Sequence, residues 1–256
     1  MPAPADLVLR DATAADLDAI TRIVASSPDD AADWTYPELR QQADVLRPLH
    51  ARAFAGLFRS RQNLLRVAER GGRVVGYSAW VRRERVDGEV VAVDVKEACD
   101  ENALTAESAR LIGDAPLPKF AALAISIPSR AAAIARLRSA QAPEPCLSVP
   151  GEQLLVLGVD QGQQGRGIGG ALIQEGLSRA AAAACPVFVT GEGRGMRVYR
   201  HLGFQVLEGT CRCFDRDGNE AGGDDEGGLR AAQMVWVPDG QSVTVHGVLY
   251  RGYGLP

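Results

Sequence analysis

Apolar residues near the start of the chain recur at the spacing of an amphipathic helix. Three or four positions separate the members of this set, the period at which side chains share one helix face. The set is Leu17, Ile20, Ile23 and Val24. Thr13 and Asp16 precede it in the pattern of a capping box, and residues 7–10 form a short apolar run. The chain is therefore expected to open with a strand and a helix.

A second helical pattern and a hairpin follow. The apolar helix face is expected to comprise Val45, Leu46, Leu49, Ala53, Phe54, Leu57 and Phe58. Residues 63–81 form two β-rich runs around Arg70-Gly71-Gly72-Arg73, and glycines supply the positive φ that such a turn requires. This part of the chain predicts a helix and then two antiparallel strands.

The remaining elements alternate between strand and helix patterns. The predicted strands cover residues 90–95, 152–159, 186–190, 204–214, 231–237 and 242–250, and the predicted helices cover 128–141, 167–184 and 195–202. Gly203 fits the position that follows a helix C-terminus. The whole order predicts one mixed α/β domain over residues 1–256.

Composition narrows the functional class. Of the 256 residues, 46% are hydrophobic and 23% charged, and the net charge of −4 gives no basic field for nucleic acid. No apolar run reaches membrane-span length, and no signal peptide pattern is visible. Five scattered cysteines suit a reducing compartment, so a cytoplasmic protein is expected. Cys211-x-Cys213 lacks a second ligand pair, so no metal site is predicted.

The glycine-rich stretch at residues 156–173 fits two ligands. Gly165-Arg166-Gly167-Ile168-Gly169-Gly170 satisfies the G-x-G-x-x-G pattern of a dinucleotide turn, and Glu192 lies near the distance of a ribose-binding acid. The same stretch suits a pyrophosphate loop for acyl-CoA. A glycine turn without a ligand is a third possibility. Five polar or small residues, DQGQQ, separate Val159 from Gly165, and a dinucleotide turn has little room for them.

With these pieces together, the chain resembles the GNAT superfamily of N-acetyltransferases. Gln164 to Gly169 match its Q/R-x-x-G-x-G/A loop, and residues 197–204 match its later Y-x-x-x-G-F element, with Tyr199, Gly203 and Phe204 in register. The correspondence covers about residues 1–82 and 152–237. Residues 83–150 form a family-variable insertion, and this long segment together with Gly195 resembles fungal-type members.

The resemblance implies a twisted mixed β-sheet flanked by helices, in which the family's fourth and fifth strands splay apart around acetyl-CoA. The backbones of Leu157, Gly158 and Val159 would bind the pantetheine arm. The pyrophosphate would be held by Gln164, Gly165, Arg166, Gly167, Ile168 and Gly169. Tyr199 would be the general acid that protonates the leaving thiolate, since a phenol carries its proton at neutral pH.

The general base and the acceptor are less defined. Glu152 is the nearest carboxylate to the fourth strand and is the candidate base, with Glu192 as a weaker one. His50, His201 and His246 are scattered. The acceptor segment would contain acidic and aromatic residues that suit a cationic amine: Asp29, Asp30, Asp33, Trp34, Tyr36 and Glu38.

The sequence thus predicts an acetyl-CoA-dependent N-acetyltransferase that transfers an acetyl group to a primary amine, of a small molecule rather than a protein, by direct attack on the thioester. The alternative is a GNAT-fold acyl-CoA-binding module without catalysis. A monomer or homodimer, without nucleic-acid or membrane partners, is expected.

Overall fold

The backbone forms a nine-stranded sheet with helices on both faces. In the computed structural model the described residues are 3–26, 43–97, 99–112, 148–222 and 228–253. The strands of this sheet are β1 Leu7–Asp11, β2 Asn63–Arg70, β3 Arg73–Val86, β4 Glu89–Ala92, β5 Gly151–Val159, β6 Val187–Glu192, β7 Gln205–Val206, β8 Arg212–Phe214 and β9 Leu229–Trp236. Among the described residues, the α-helices are α1 Leu17–Ser26, α2 Ala43–Arg59, α3 Glu101–Ile112, α4 Ile168–Ala182 and α5 Gly195–His201.

The strand order is β1-β2-β3-β5-β6-β9-β7, with β4 paired to β3 and β8 paired to β9. Strands β5 and β6 are parallel, and they pair only from Glu152 opposite Val187 to Leu154 opposite Val189. The other pairs described in this sheet are antiparallel. After Leu154 the two strands diverge, which confirms the predicted splay; β5 and β6 correspond to the family's fourth and fifth strands.

Two hydrophobic clusters fill the space above and below the sheet. On one face α1, α2 and α3 pack on β2 and β3 through Ile20, Phe54, Leu104 and Tyr77. On the other face α4 and α5 pack on the sheet through a second cluster that includes Trp80, Leu154, Ile173, Leu177, Val187, Val189, Met196 and Tyr199. The part of the predicted insertion that forms α3 is therefore packed into the core beside α1 and α2.

The predicted capping box is confirmed at the start of α1. The Thr13 backbone N–H donates to Asp16 Oδ2 at 2.8 Å, and the Arg10 guanidinium donates to the same carboxylate at 2.7 Å. Burial acts to raise the pKa of Asp16, but the hydrogen bonds from Arg10 and Thr13 outweigh it and hold the pKa below its ordinary value. This cluster fixes the junction between β1 and α1.

The structure differs from several sequence-based boundaries. In α2, Ala53 is exposed rather than facing the core, and the side chains of Val45, Leu46 and Leu49 lie outside the description. The predicted strand 204–214 is two short strands, β7 and β8, because the chain turns at Gly209 with a φ of +75°. The strand predicted at 90–95 is found as Glu89–Ala92. The helix predicted at 128–141 lies outside the described residues.

A separate hairpin replaces the single last strand that the sequence predicted. Strands β10 Ser242–Val245 and β11 Val248–Arg251 pair in antiparallel fashion around His246 and Gly247, whose φ values are +50° and +82°. The hairpin packs on Phe188 and Val235, on the face of β6 and β9 opposite α5. Within the described ranges no helix is both long and apolar enough to cross a lipid bilayer.

Candidate active site

A cleft of about 1170 Å³ opens between α4 and α5, at the end of β5. Its floor is the diverging part of β5, and its walls are the start of α4 and one side of α5. The lining includes Leu157, Gly158, Val159, Gln164, Gly165, Gly167, Ile168, Gly169, Gln174, Glu175, Ser178, Arg194, Gly195, Arg197, Val198, Tyr199 and His201. The cleft therefore joins the glycine loop to the Tyr199 helix, which are separate in sequence.

The glycine loop has the backbone conformation of an anion site. Gly165 and Gly167 have φ values of +73° and +78°, in the left-handed region that glycine adopts without strain. Gly167 is the N-cap of α4, so the first backbone N–H groups of the helix point out of its start without intrahelical acceptors. An anion at this point would meet N–H donors and the positive end of the helix dipole.

The polar spacer before the loop forms a turn that Asp160 organises. Residues Gln161–Gln163 make one 3₁₀ turn, and the Gly162 backbone N–H donates to Asp160 Oδ1 at 3.1 Å. Arg22 and Arg73 donate to Asp160 Oδ2 at 2.7 and 3.1 Å. Burial favours the neutral carboxyl, yet Arg22 and Gly162 hold the pKa of Asp160 below its ordinary value. The spacer is thus an ordered part of the site.

Eight of the nine predicted cofactor-binding residues line this cleft, and Arg166 is the exception. Arg166 is exposed on the loop surface. The Val159 carbonyl, one of the groups predicted to bind pantetheine, accepts a hydrogen bond from Gln164 Nε2 at 3.2 Å. Gly158 has a packing role as well, because a Cβ there would lie 2.4 Å from the Tyr77 ring.

Tyr199 lies on the wall of the cleft with its ring in the core. It is 8% exposed and packs edge-on against Phe204, with 5.5 Å between ring centroids. A Cβ on Gly191 would lie 3.2 Å from the Tyr199 ring, so a larger residue at position 191 would crowd the ring. Burial, and then the negative charge of Glu192, raise the pKa of Tyr199 well above its ordinary value. The hydroxyl therefore keeps its proton at neutral pH.

Glu152 lies apart from Tyr199. Its carboxylate pairs with Arg179 Nη2 at 3.2 Å and lines a second cavity of about 400 Å³, together with Trp80, Arg82 and Asp94. Burial raises the pKa of Glu152 above its ordinary value, and the charge of Arg179 opposes that rise. The structure thus places the two predicted catalytic residues in different cavities.

The other sequence candidates are dispersed. Glu192 ends β6 close enough to Tyr199 to affect its pKa, while His201 alone among the three histidines lines the cleft. The predicted acceptor residues between positions 29 and 38 lie outside the description. Over the described ranges, no group of three metal-ligating side chains includes Cys211 and Cys213.

Sequence reasoning missed most of the wall formed by α5. Arg194, Arg197 and Val198 line the cleft opposite α4. Arg197 and Val198 follow Arg194 by three and four positions, and this spacing could have identified them, since residues three and four apart share a helix face. The two arginines bring positive charge to a cleft that already has a helix N-terminus.

No family model matches the chain, and no curated protein sequence matches it. Solved structures do match. A polyamine N-acetyltransferase from Drosophila melanogaster, an enzyme that forms N-acetylagmatine, is 19% identical over 91% of this chain and 100% of its own, with a TM-score of 0.50. The chain has the GNAT fold.

Two further solved structures also match the chain. A histone acetyltransferase HPA2 and related acetyltransferase from Corynebacterium glutamicum is 17% identical over 93% of this chain and 99% of its own, with a TM-score of 0.49. A GNAT family acetyltransferase from Brucella melitensis, in complex with acetyl-CoA, is 18% identical over 78% and 82% of the two chains, with a TM-score of 0.37.

The sheet around the glycine loop is mixed. Strands β5 and β6, which flank the loop and α4, are parallel to each other, but β5 is antiparallel to β3 and β6 is antiparallel to β9. The dinucleotide fold has a mostly parallel sheet, so this topology favours the acyl-CoA alternative. Gly170, which completed the dinucleotide pattern, lies in the first turn of α4, and a Cβ there would meet nothing within 4 Å.

Proposed function

We propose that the protein is an acetyl-CoA-dependent N-acetyltransferase that acetylates a primary amine of a small molecule. The observation that carries the proposal is the shared cleft, which the glycine loop at the start of α4 and Tyr199 both line. An amine acceptor is also supported by the Drosophila protein of the same fold, which is named for its amine substrate.

The residues of the cleft fit a coenzyme A thioester. Gly165 and Gly167 leave space for phosphates close to the backbone, and the N–H groups at the start of α4 would hold the pyrophosphate. Arg194 and Arg197 add positive charge for the same anion. The open edge of β5 after Leu154 has room for the pantetheine arm, whose amides would pair with the backbone of Leu157, Gly158 and Val159.

Acetyl-CoA would supply the thioester carbonyl that the amine attacks. The amine nitrogen forms the new amide bond as the carbon–sulfur bond breaks, and the electron pair of that bond leaves on sulfur. The nitrogen loses one proton to solvent, and solvent returns a proton to Tyr199 after it has protonated the sulfur. Tyr199 donates its hydroxyl proton to the sulfur, and its raised pKa means that the proton is present throughout the neutral range.

A thiol-release assay tests this function directly. The protein is mixed with acetyl-CoA and a panel of small primary amines, and free coenzyme A is measured with a thiol reagent. Amine-dependent release that yields the N-acetylated product is expected. Tight binding of acetyl-CoA without release for any amine would instead establish the non-catalytic acyl-CoA-binding module.

A further inference from the structure

One residue of β5 has no partner in β3, and it lies where β5 and β6 separate. In the β3–β5 register, Trp80 pairs with Leu154 and Ala79 pairs with Val156, which leaves Leu155 as an extra residue. Pairing with β6 ends at Leu154. A bulge bends its strand and increases the local twist. Leu155 is therefore the first residue of the open fork between β5 and β6.

The packing of its neighbours shows which face Leu155 is on. Leu154 and Leu157 both pack with side chains of α4, although residues three apart in a regular strand face opposite sides. Val156, between them, packs with the cluster of α1 and α2. The bulge accounts for this break in the alternation of side chains. It places Leu155 and Val156 together on the face of the sheet that packs against α1 and α2.

The exposure of Leu155 is unusual for this part of the strand. Leu155 is 40% exposed, whereas Leu154 is 3% exposed, and Leu155 is absent from the lining of the cofactor cleft. An exposed leucine alone needs no explanation. This one lies on the far side of the fork from the cleft, where a thioester carbonyl reaching through the fork would meet an incoming amine.

We infer that Leu155 is a specificity-determining residue for the acceptor; this rests on the proposed function. Its side chain forms an apolar floor beside the reacting amine and favours acceptors whose carbons next to the nitrogen form a hydrocarbon chain. Those carbons gain by leaving water against Leu155. A second ammonium group at the same place would lose hydration beside a leucine that cannot pair with it. The class of substrate is therefore a monoamine with an alkyl or arylalkyl chain.

A matched pair of amines tests this inference. n-Hexylamine and 1,6-diaminohexane have equal chain length and differ by one terminal ammonium group. For the wild-type protein, kcat/KM is expected to be higher with n-hexylamine. Leu155→Ala should lower kcat/KM for n-hexylamine about ten-fold, the usual cost of lost hydrocarbon contact in a specificity pocket, and affect 1,6-diaminohexane much less. Leu155→Glu should shift the preference towards the diamine.

The controls separate this inference from the proposed function. Acetyl-CoA affinity should be the same in wild type and Leu155→Ala, because Leu155 lies outside the cofactor cleft. Leu249→Ala removes another exposed leucine, on β11, and should leave both rates unchanged. Turnover with an unaltered ratio of the two amines in Leu155→Ala would overturn the role of Leu155 alone. If another amine of the panel is turned over but neither of these two is, the inference about Leu155 is overturned and the proposed function stands. Absence of coenzyme A release with every amine would overturn the proposed function.

Discussion

Arg22 of α1 donates a hydrogen bond to Asp160 at 2.7 Å, across 138 positions of sequence. Asp160 in turn accepts the Gly162 backbone N–H and so caps the turn that leads into the glycine loop. The first helix of the domain therefore holds the loop that we propose for the pyrophosphate. Its geometry depends on a contact between the two halves of the chain.

Asp160→Asn should weaken this anchor while keeping the cap, since an amide oxygen can still accept from Gly162. We expect a loss of about 1–2 kcal/mol of unfolding free energy at pH 7 and weaker acetyl-CoA binding. The pKa of Asp160 is lowered in the folded state, so its contribution is present above about pH 4 and is lost as pH falls further. Urea titrations between pH 3 and pH 7 should show that the free energy of unfolding falls less with decreasing pH in the variant than in the wild type.

Asp87→Asn is the matched control, because Asp87 is an exposed turn residue whose left-handed backbone suits asparagine. It should leave acetyl-CoA affinity unchanged, because Asp87 does not contact the glycine loop. If Asp160→Asn retained the full pH dependence of the wild type, the anchoring role of the carboxylate would be refuted.

Gly167→Ala should impair cofactor binding more than it impairs the fold. Its φ of +78° costs an alanine about 1–2 kcal/mol, and the added methyl group would stand beside the N–H groups at the start of α4. We expect at least a ten-fold weaker acetyl-CoA affinity by calorimetry. Gly240→Ala introduces similar strain at a φ of +71° in a turn outside the cleft, and it should lower stability without changing affinity. Equal acetyl-CoA affinity in both variants would contradict the proposal that the glycine loop binds the cofactor.

Tyr199→Phe should lower kcat about a hundred-fold, within the usual range for loss of a general acid. The acetyl-CoA dissociation constant should change little, because the ring and its contact with Phe204 remain. Tyr250→Phe is the control: its hydroxyl accepts the Glu208 N–H at 2.8 Å in the hairpin, outside the cleft. That variant should lose some stability and keep full turnover. A Tyr199→Phe protein with wild-type kcat would remove Tyr199 from the mechanism.

Glu152→Gln separates two accounts of Glu152. A general base at this position predicts a loss of about 10² to 10⁴ in kcat. Its ion pair with Arg179 in a separate cavity leads us to expect turnover close to wild type.

The stability of the same variant has its own pH signature. Because the folded-state pKa of Glu152 is raised, the wild type loses stability as pH rises from the ordinary glutamate value of about 4.3 through the folded value. The Glu152→Gln variant has no carboxyl at this position, so it does not lose stability in this way. The free energy of unfolding of the wild type relative to the variant should therefore fall between pH 4 and pH 7, and a constant difference would contradict the account.

Gly176→Ala should be strongly destabilising, because its Cβ would lie 2.2 Å from the Trp80 ring. Trp80 is buried between β3 and α4, and its indole N–H already donates to Ser78 at 2.9 Å, so the ring has little freedom to move. We expect a cost of about 1–3 kcal/mol. Gly170→Ala in the same helix meets nothing within 4 Å and should be neutral or stabilising by about 0.5–1 kcal/mol. Chemical denaturation of both variants measures the contrast.

Features that depend on local sequence were predictable. The capping box at Thr13 and Asp16 was found as expected, and so was the helix that begins after Gly167. The Y-x-x-x-G-F element likewise gave the helix that carries Tyr199, because short-range spacing and glycine conformations specify such elements.

Features that depend on distant contacts were not predictable. Arg22 gives no sign in the sequence that it reaches Asp160, and Gly176 gives none that it faces Trp80. The bulge at Leu155 appears only when β3 is aligned with β5. The last hairpin was missed because its turn begins with His246, and a positive φ is uncommon at any residue other than glycine.

The central claim is that the glycine loop binds the pyrophosphate of acetyl-CoA. Isothermal titration of the wild-type protein with acetyl-CoA, and in parallel with NAD⁺, tests it most directly, because both ligands carry a pyrophosphate and the glycine pattern alone fits either. Saturable binding of acetyl-CoA at one site per chain, with no heat from NAD⁺, is the predicted result. Binding of NAD⁺, or no binding of acetyl-CoA, would contradict the account.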